Sequence, residues 1–244
     1  MKRIALILSI IGLVGATATV SLADQGCLLS WLQNGDRLCV SEHGNVNFLG
    51  PKKTNLPVPD APNTNHREGY ALCYADKEQA FESTDFGDDS LSFGFGPPAT
   101  SSEPGGILHV ARSSAYGQLL LTQSFYPDIH KRQVRVVMTV TNTTHKTLFH
   151  IKLFRGVAVA ERGARASYTK RSAMSLRPGQ SHGMMLTDVT WPPRSGTKTG
   201  RASAETLGCD PRADGRGTAG YVKIPIGSLS PGQSRTVEVF YRSF

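Results

Sequence analysis

Gln133-Val134-Arg135-Val136-Val137-Met138-Thr139-Val140-Thr141 alternates in chemistry from one residue to the next. Side chains of an extended chain point to opposite faces in turn. Val134, Val136, Met138 and Val140 therefore share one face, while Arg135, Thr139 and Thr141 share the other. This pattern predicts a strand with one buried and one wet face. The polar turn Asn142–Lys146 follows. Phe149, Ile151 and Leu153 then alternate with His150 and Lys152, which predicts a partner strand. Near the end, Val237, Val239 and Tyr241 alternate with Thr236, Glu238 and Arg242 in the same way.

Helical periodicity is nearly absent beyond the first residues. Further strands are expected at 37–41, 46–49, 70–74, 90–95, 107–113, 118–125, 184–191 and 221–226. Turn formers separate them. Pro51–Asn65 holds four prolines, Gly96–Gly106 reads GPPATSSEPGG like a linker, and Pro192–Gly220 is a long Gly-, Arg- and Ser-rich loop. Ser175-Leu-Arg-Pro-Gly-Gln-Ser181 recurs as Ser228-Leu-Ser-Pro-Gly-Gln-Ser234. Pro-Gly suits the centre of a type II turn, because Gly accepts the positive φ. The expected class is all-β, an antiparallel β-sandwich. A β-rich region over 24–106 would precede a sandwich over 107–244, and the two could form one continuous domain.

The run VRVVMTVTNTTHKTLFHIKL, with IGSLSPGQSRTVEVFYR near the end, resembles immunoglobulin-like sandwich repeats of bacterial secreted proteins, the domain-of-unknown-function-11 and CARDB-type modules. The resemblance covers roughly residues 134–244 and implies an immunoglobulin-like sandwich. GNVNFLGP and EGYALCY are similar to segments of exported bacterial proteins without established activity. The acidic motif of that class has no counterpart in Gly156–Glu161, so no role is carried over from it.

The amino terminus has the layout of a secretory signal. Lys2 and Arg3 precede the apolar run Ile4–Val14, and Ser21-Leu22-Ala23 supplies small residues for cleavage before Asp24. A spanning helix needs about 20 apolar residues, so no integral membrane segment is expected after cleavage. Asp24 stands where a lipoprotein signal wants an aliphatic residue before Cys27. The expected location is periplasmic or extracellular. In that oxidising setting Cys27, Cys39, Cys73 and Cys209 are expected as two disulfides, with Cys27–Cys39 and Cys73–Cys209 the favoured pairing.

Charge is segregated along the chain. Residues 24–130 hold 6 Lys/Arg and 13 Asp/Glu, whereas residues 131–201 hold 14 and 2. Arg162, Arg165, Lys170, Arg171, Lys198 and Arg201 are the candidate binding residues. Their expected partner is an anionic envelope polymer or an acidic protein. Neutralisation by acidic segments packed alongside is the competing expectation. Nucleic acid is not expected, since neither a recognition helix nor an aromatic stacking platform is visible.

Catalytic signals are thin. Gly179-Gln-Ser-His-Gly183 satisfies G-x-S-x-G, but Pro178 precedes it and no strand-turn-helix context surrounds it, so Ser181 is not assigned as a nucleophile. Asp85, Asp88 and Asp89, and separately Asp210 and Asp214, do not complete a calcium loop. No metal or cofactor is expected. Asn142-Thr-Thr144 is a formal glycosylation sequon that reads better as a turn, and Trp31 and Trp191 could stack on sugar rings but suit core packing. The expected function is a non-catalytic binding or structural envelope component; the alternative is a secreted hydrolase with dispersed catalytic groups.

Overall fold

The computed structural model describes residues 27–33, 36–49, 67–75, 79–86, 93–158, 165–176, 183–190, 195–202, 208–209 and 218–243. The amino-terminal signal, Arg162, Ser181 and Trp191 lie outside them, as does the side chain of Trp31. In chain order the strands are β1 Cys27–Gln33, β2 Asp36–Ser41, β3 Val46–Leu49, β4 Arg67–Ala75, β5 Ala80–Asp85, β6 Ala99–Glu103, β7 Ile107–Ser113 and β8 Leu119–Asp128. There follow β9 Gln133–Asn142, β10 Leu148–Ala158, β11 Arg165–Tyr168, β12 Ser172–Leu176, β13 Gly183–Asp188, β14 Lys198–Ala202, β15 Ala219–Leu229 and β16 Ser234–Ser243.

Three antiparallel sheets result. The small one runs β1-β2-β3, the second β14-β15-β10-β4-β5, and the third β11-β12-β13-β16-β9-β8-β7-β6. The second sheet thus joins strands from both sides of Gly106. The two larger sheets bury a common core. Tyr70, Leu72, Leu153, Val157, Val222 and Ile224 from one face Leu121, Phe125, Val136, Met138, Val237 and Val239 from the other. Burial in β9 alternates residue by residue, with Val134, Val136, Met138 and Val140 inside. In β16, Val237, Val239 and Tyr241 are likewise buried. The all-β sandwich expected from alternation is therefore present.

Several local expectations are corrected. Phe149 does not share the buried face with Ile151 and Leu153. The β10 register shifts here and His150 takes φ 54, so Leu148 and Ile151 turn inward instead. Gly96–Gly106 is not a plain linker, since it contains β6, whose five residues are all exposed. The long loop after Pro192 contains β14. In the expected strand 90–95, Phe93 makes one isolated bridge to Thr84. The turn expectations hold at two places. Gly232 follows Pro231 with φ 70, and Gln233 N donates to Ser230 O at 3.0 Å. Asn142 is buried and its amide donates to Lys146 O and Leu229 O, both at 2.8 Å, so it makes the turn.

Cys73 and Cys209 form a disulfide across 136 positions, as expected. Cys39 is also disulfide-bonded, and the side chain of Cys27 lies outside the described residues.

Candidate active site

Strands that bury an apolar face place an occasional charged residue on it. Glu68 shares the inward parity of Tyr70 and Leu72 on β4, Arg155 that of Leu153 and Val157 on β10, and Arg112 that of Leu108 and Val110 on β7. Asp85 ends β5 on the same interior side. These residues meet at one end of the core, beneath the turn between β2 and β3. Burying an ion without a partner costs several kcal/mol, so the contacts of each one matter.

Two linked ion pairs result. Arg112 Nη1 donates to Asp85 Oδ2 and, at 3.3 Å, to the Tyr70 hydroxyl. Arg155 Nη2 lies 3.5 Å from Glu68 Oε1 and donates to Gly44 O at 2.8 Å. Its guanidinium lies between the rings of Tyr70 and Tyr241, 5.2 Å from each centroid. Arg155 Nε and Nη1 have no partner among the described residues. The Tyr241 hydroxyl donates to Glu68 Oε1, and Val46 N donates to Oε2 at 2.6 Å. Burial pushes the Glu68 carboxyl above its ordinary value, against the pull of Arg155, Tyr241 and Val46. Burial likewise raises the Tyr70 and Tyr241 phenols.

His43 caps this cluster. Its Nδ1 lies 3.0 Å from Asp85 Oδ2; its side chain is 38% exposed and that of Asp85 0%. A proton on Nδ1 is held by the buried carboxylate, so Nε2 is the nitrogen that faces outward for proton exchange. Nε2 lies 3.8 Å from Glu42 Oε1, on a carboxylate that is largely exposed. The turn is fixed from below, because the Tyr70 hydroxyl donates to His43 O at 2.5 Å and Asn45 Nδ2 donates to Glu68 O at 3.0 Å. Gly69 permits the close approach that places Asp85: a Cβ there would sit 2.0 Å from Asp85 O and 2.6 Å from Phe86 Cα, both backbone atoms.

An open groove of about 700 Å³ lies beside this end of the molecule, between β5, residues 93–96 and the turn Ala115–Gly117. Phe81, Phe93, Phe95 and Tyr116 line it together with Glu82. Phe93 is 56% and Tyr116 85% exposed. Tyr116 holds φ 59, a conformation that side chains rarely adopt. Phe95 connects groove and cluster: the Arg112 guanidinium stacks 5.0 Å from its ring centroid and Arg112 Nε donates to Gly96 O at 3.0 Å. Glu82 Oε1 accepts from Cys209 N at 2.7 Å, so the disulfide holds the partner of a groove carboxylate.

A second histidine lies on the open face of the eight-stranded sheet. His109 Nδ1 is 2.8 Å from Ser124 Oγ, and Nε2 is 3.1 Å from Glu103 Oε1 without the alignment of a hydrogen bond. Among the described residues no group of His, Cys, Asp or Glu is arranged to hold a metal ion.

Of the predicted binding residues, Arg165, Lys170, Lys198 and Arg201 are exposed on β11, β14 and the turn after β11. Arg171 is half-buried, 3.6 Å from Asp188 Oδ2, and donates to Thr190 O at 3.3 Å. Asp85 makes the Arg112 and His43 contacts; Asp88, Asp89, Asp210 and Asp214 lie outside the described residues.

No family model matches the sequence, and no curated protein matches it. Solved structures do match in fold. A galactose mutarotase-like protein from Lactobacillus casei aligns over 88% of this chain and 99% of its own, with 9% identity and a TM-score of 0.51. A galactose mutarotase related enzyme from Lactobacillus acidophilus aligns over 88% and 97%, with 7% identity and a TM-score of 0.50. These matches overturn the immunoglobulin-like resemblance. That resemblance rested on strand alternation and Pro-Gly turns, which any antiparallel sandwich contains. An immunoglobulin-like domain has roughly seven to nine strands, fewer than the two larger sheets here. The expectation of a non-catalytic envelope component is corrected on the same matches, which are to proteins named as mutarotase-related or mutarotase-like. The chain has the β-sandwich fold of galactose mutarotase-like proteins.

Proposed function

We propose that the protein is a carbohydrate-converting enzyme that interconverts the anomers of a reducing sugar. The observation that carries this reading is His43 Nδ1 at 3.0 Å from the fully buried Asp85, with Nε2 turned toward the accessible Glu42. Anomer interconversion needs a base for the anomeric hydroxyl and an acid for the ring oxygen. Both oxygens sit on one carbon, so acid and base must stand close together, as His43 and Glu42 do. The Glu42 carboxylate takes the O1 proton while the protonated His43, through Nε2–H, protonates the ring oxygen. The ring C–O bond breaks to give the open aldehyde, and reclosure on the other face returns both protons. Asp85, itself paired with Arg112, holds the imidazole, and the groove aromatics offer faces for sugar C–H groups. The likeness in fold to proteins named for galactose mutarotation supports the choice of substrate class. The leader-like amino terminus and the Cys73–Cys209 disulfide support action outside the cytoplasm.

The test is polarimetry on freshly dissolved single anomers of a panel of aldoses. Wild type should speed relaxation of at least one sugar and His43→Gln should not. Equal rates with and without protein across the panel would remove the reading. A hydrolytic alternative rests on Ser124, whose Oγ lies 2.8 Å from His109 Nδ1. Loss of glycan-ester cleavage in Ser124→Ala, with anomer exchange absent from wild type, would favour it.

A further inference from the structure

The end strands of the two larger sheets meet at one edge. β14 closes the five-stranded sheet and β11 the eight-stranded one. The Thr199 hydroxyl donates to Thr169 O and clips the edges together. Residues 165–202 contain seven Lys/Arg and one acidic residue, Asp188. That carboxylate is 1% exposed and is occupied by Arg171, by Thr190 N at 3.0 Å and by the Thr197 hydroxyl at 3.2 Å. Arg165, Lys170, Lys198 and Arg201 are exposed, and none has a carboxylate partner among the described residues. Exposed cations without partners keep their full attraction for an external anion, and several on one edge sum their fields.

We propose that this edge binds a carbohydrate chain bearing carboxylate or sulfate groups and holds it on the enzyme. The class of anion rests on the carbohydrate reading given above; the cationic edge itself does not. Lys198 and Arg201 stand three residues apart on the edge strand β14, about 10 Å along it, and project from its two faces. They and the cations of β11 and its turn offer separated points for the repeated charges of a polymer. A small anion would engage only one of them.

Affinity electrophoresis of the full chain tests this, in gels containing polygalacturonate, heparin or neutral dextran. The acidic polymers should retard the protein and dextran should not. Retention should weaken on the order of tenfold between low salt and about 0.3 M NaCl. Arg165→Gln/Lys170→Gln/Lys198→Gln/Arg201→Gln should lose on the order of tenfold in affinity, with melting and anomer exchange unchanged. Arg165→Lys/Arg201→Lys should retain binding, since charge and not guanidinium geometry is required. Polygalacturonate and heparin separate carboxylate from sulfate preference. Unchanged affinity in the quadruple variant would overturn the proposal. So would equal retention by dextran, or binding confined to phosphatidylglycerol vesicles. Self-association of that variant with its affinity intact would show that the cations only guard sheet edges against pairing. Polymer binding by a protein without anomer exchange would support the edge site while removing only the catalytic reading.

Discussion

Loss of the Cys73–Cys209 bridge should destabilise the protein substantially. The bridge closes a loop across 136 positions. On the chain-entropy model, a closure of that size removes about 5 kcal/mol of unfolded-state entropy at 25 °C. Native bridges deliver about 2–5 kcal/mol, because the open unfolded chain keeps some structure. The folded state retains two local ties without the sulfur bond, from Cys209 N to Glu82 Oε1 and from Lys223 Nζ to Cys209 O, each 2.7 Å. The folded state should therefore survive in Cys73→Ser/Cys209→Ser, with stability lowered by about 2–5 kcal/mol, or about 5–20 °C in Tm for a chain of this size. Urea unfolding of the double variant beside wild type measures it. Mutation is preferable to reductant here, because Cys39 is also disulfide-bonded. Coincident urea midpoints would refute the reasoning, and a loss well beyond 5 kcal/mol would show that the bridge also relieves folded-state conflict at Glu82.

Arg155→Met should cost about 3–5 kcal/mol, because it leaves the Glu68 carboxyl buried without its cation. Adding Glu68→Gln should recover much of that loss, and thermal unfolding of the two variants checks both statements. Glu68 also sets a pH dependence. Its folded-state carboxyl titrates above the ordinary 4.5, so the native protein binds more protons than the unfolded chain. The associated stability is fully present below about pH 4.5 and is lost as pH rises through the raised folded value. Glu68→Gln should flatten that part of the stability–pH curve, and an unchanged slope in urea titrations would count against the assignment.

Alternation made the interior strands legible. Val134 to Val140 and Val237 to Tyr241 each bury one face against a second sheet, and burial on one side leaves period two in the sequence. Edge strands leave no such trace. β6 is exposed throughout, and β14 runs through a Gly- and Arg-rich segment, so both read as loop. The displaced register at His150 was hidden for another reason: a bulge changes which residues face inward without changing composition. The candidate site was illegible because its members are scattered. His43, Asp85 and Arg112 come from a turn and two strands far apart in the chain. One usable signal existed, namely a charge on the inward parity of an apolar strand, as at Glu68, Arg112 and Arg155. The excess of cations was visible as a charge imbalance; the meeting of β11 and β14 that gathers them was not.

The central claim is that His43 and Asp85 act as one proton-transfer unit. It is tested most directly by anomer-exchange rates of wild type, His43→Gln, Asp85→Asn and the double variant, on the sugar that wild type turns over fastest. Groups that act as a unit are strongly non-additive. His43→Gln should lose on the order of 10²–10⁴-fold, with no further loss in the double variant. Wild-type rates in His43→Gln, with all four proteins folded, would contradict it, as would multiplicative losses.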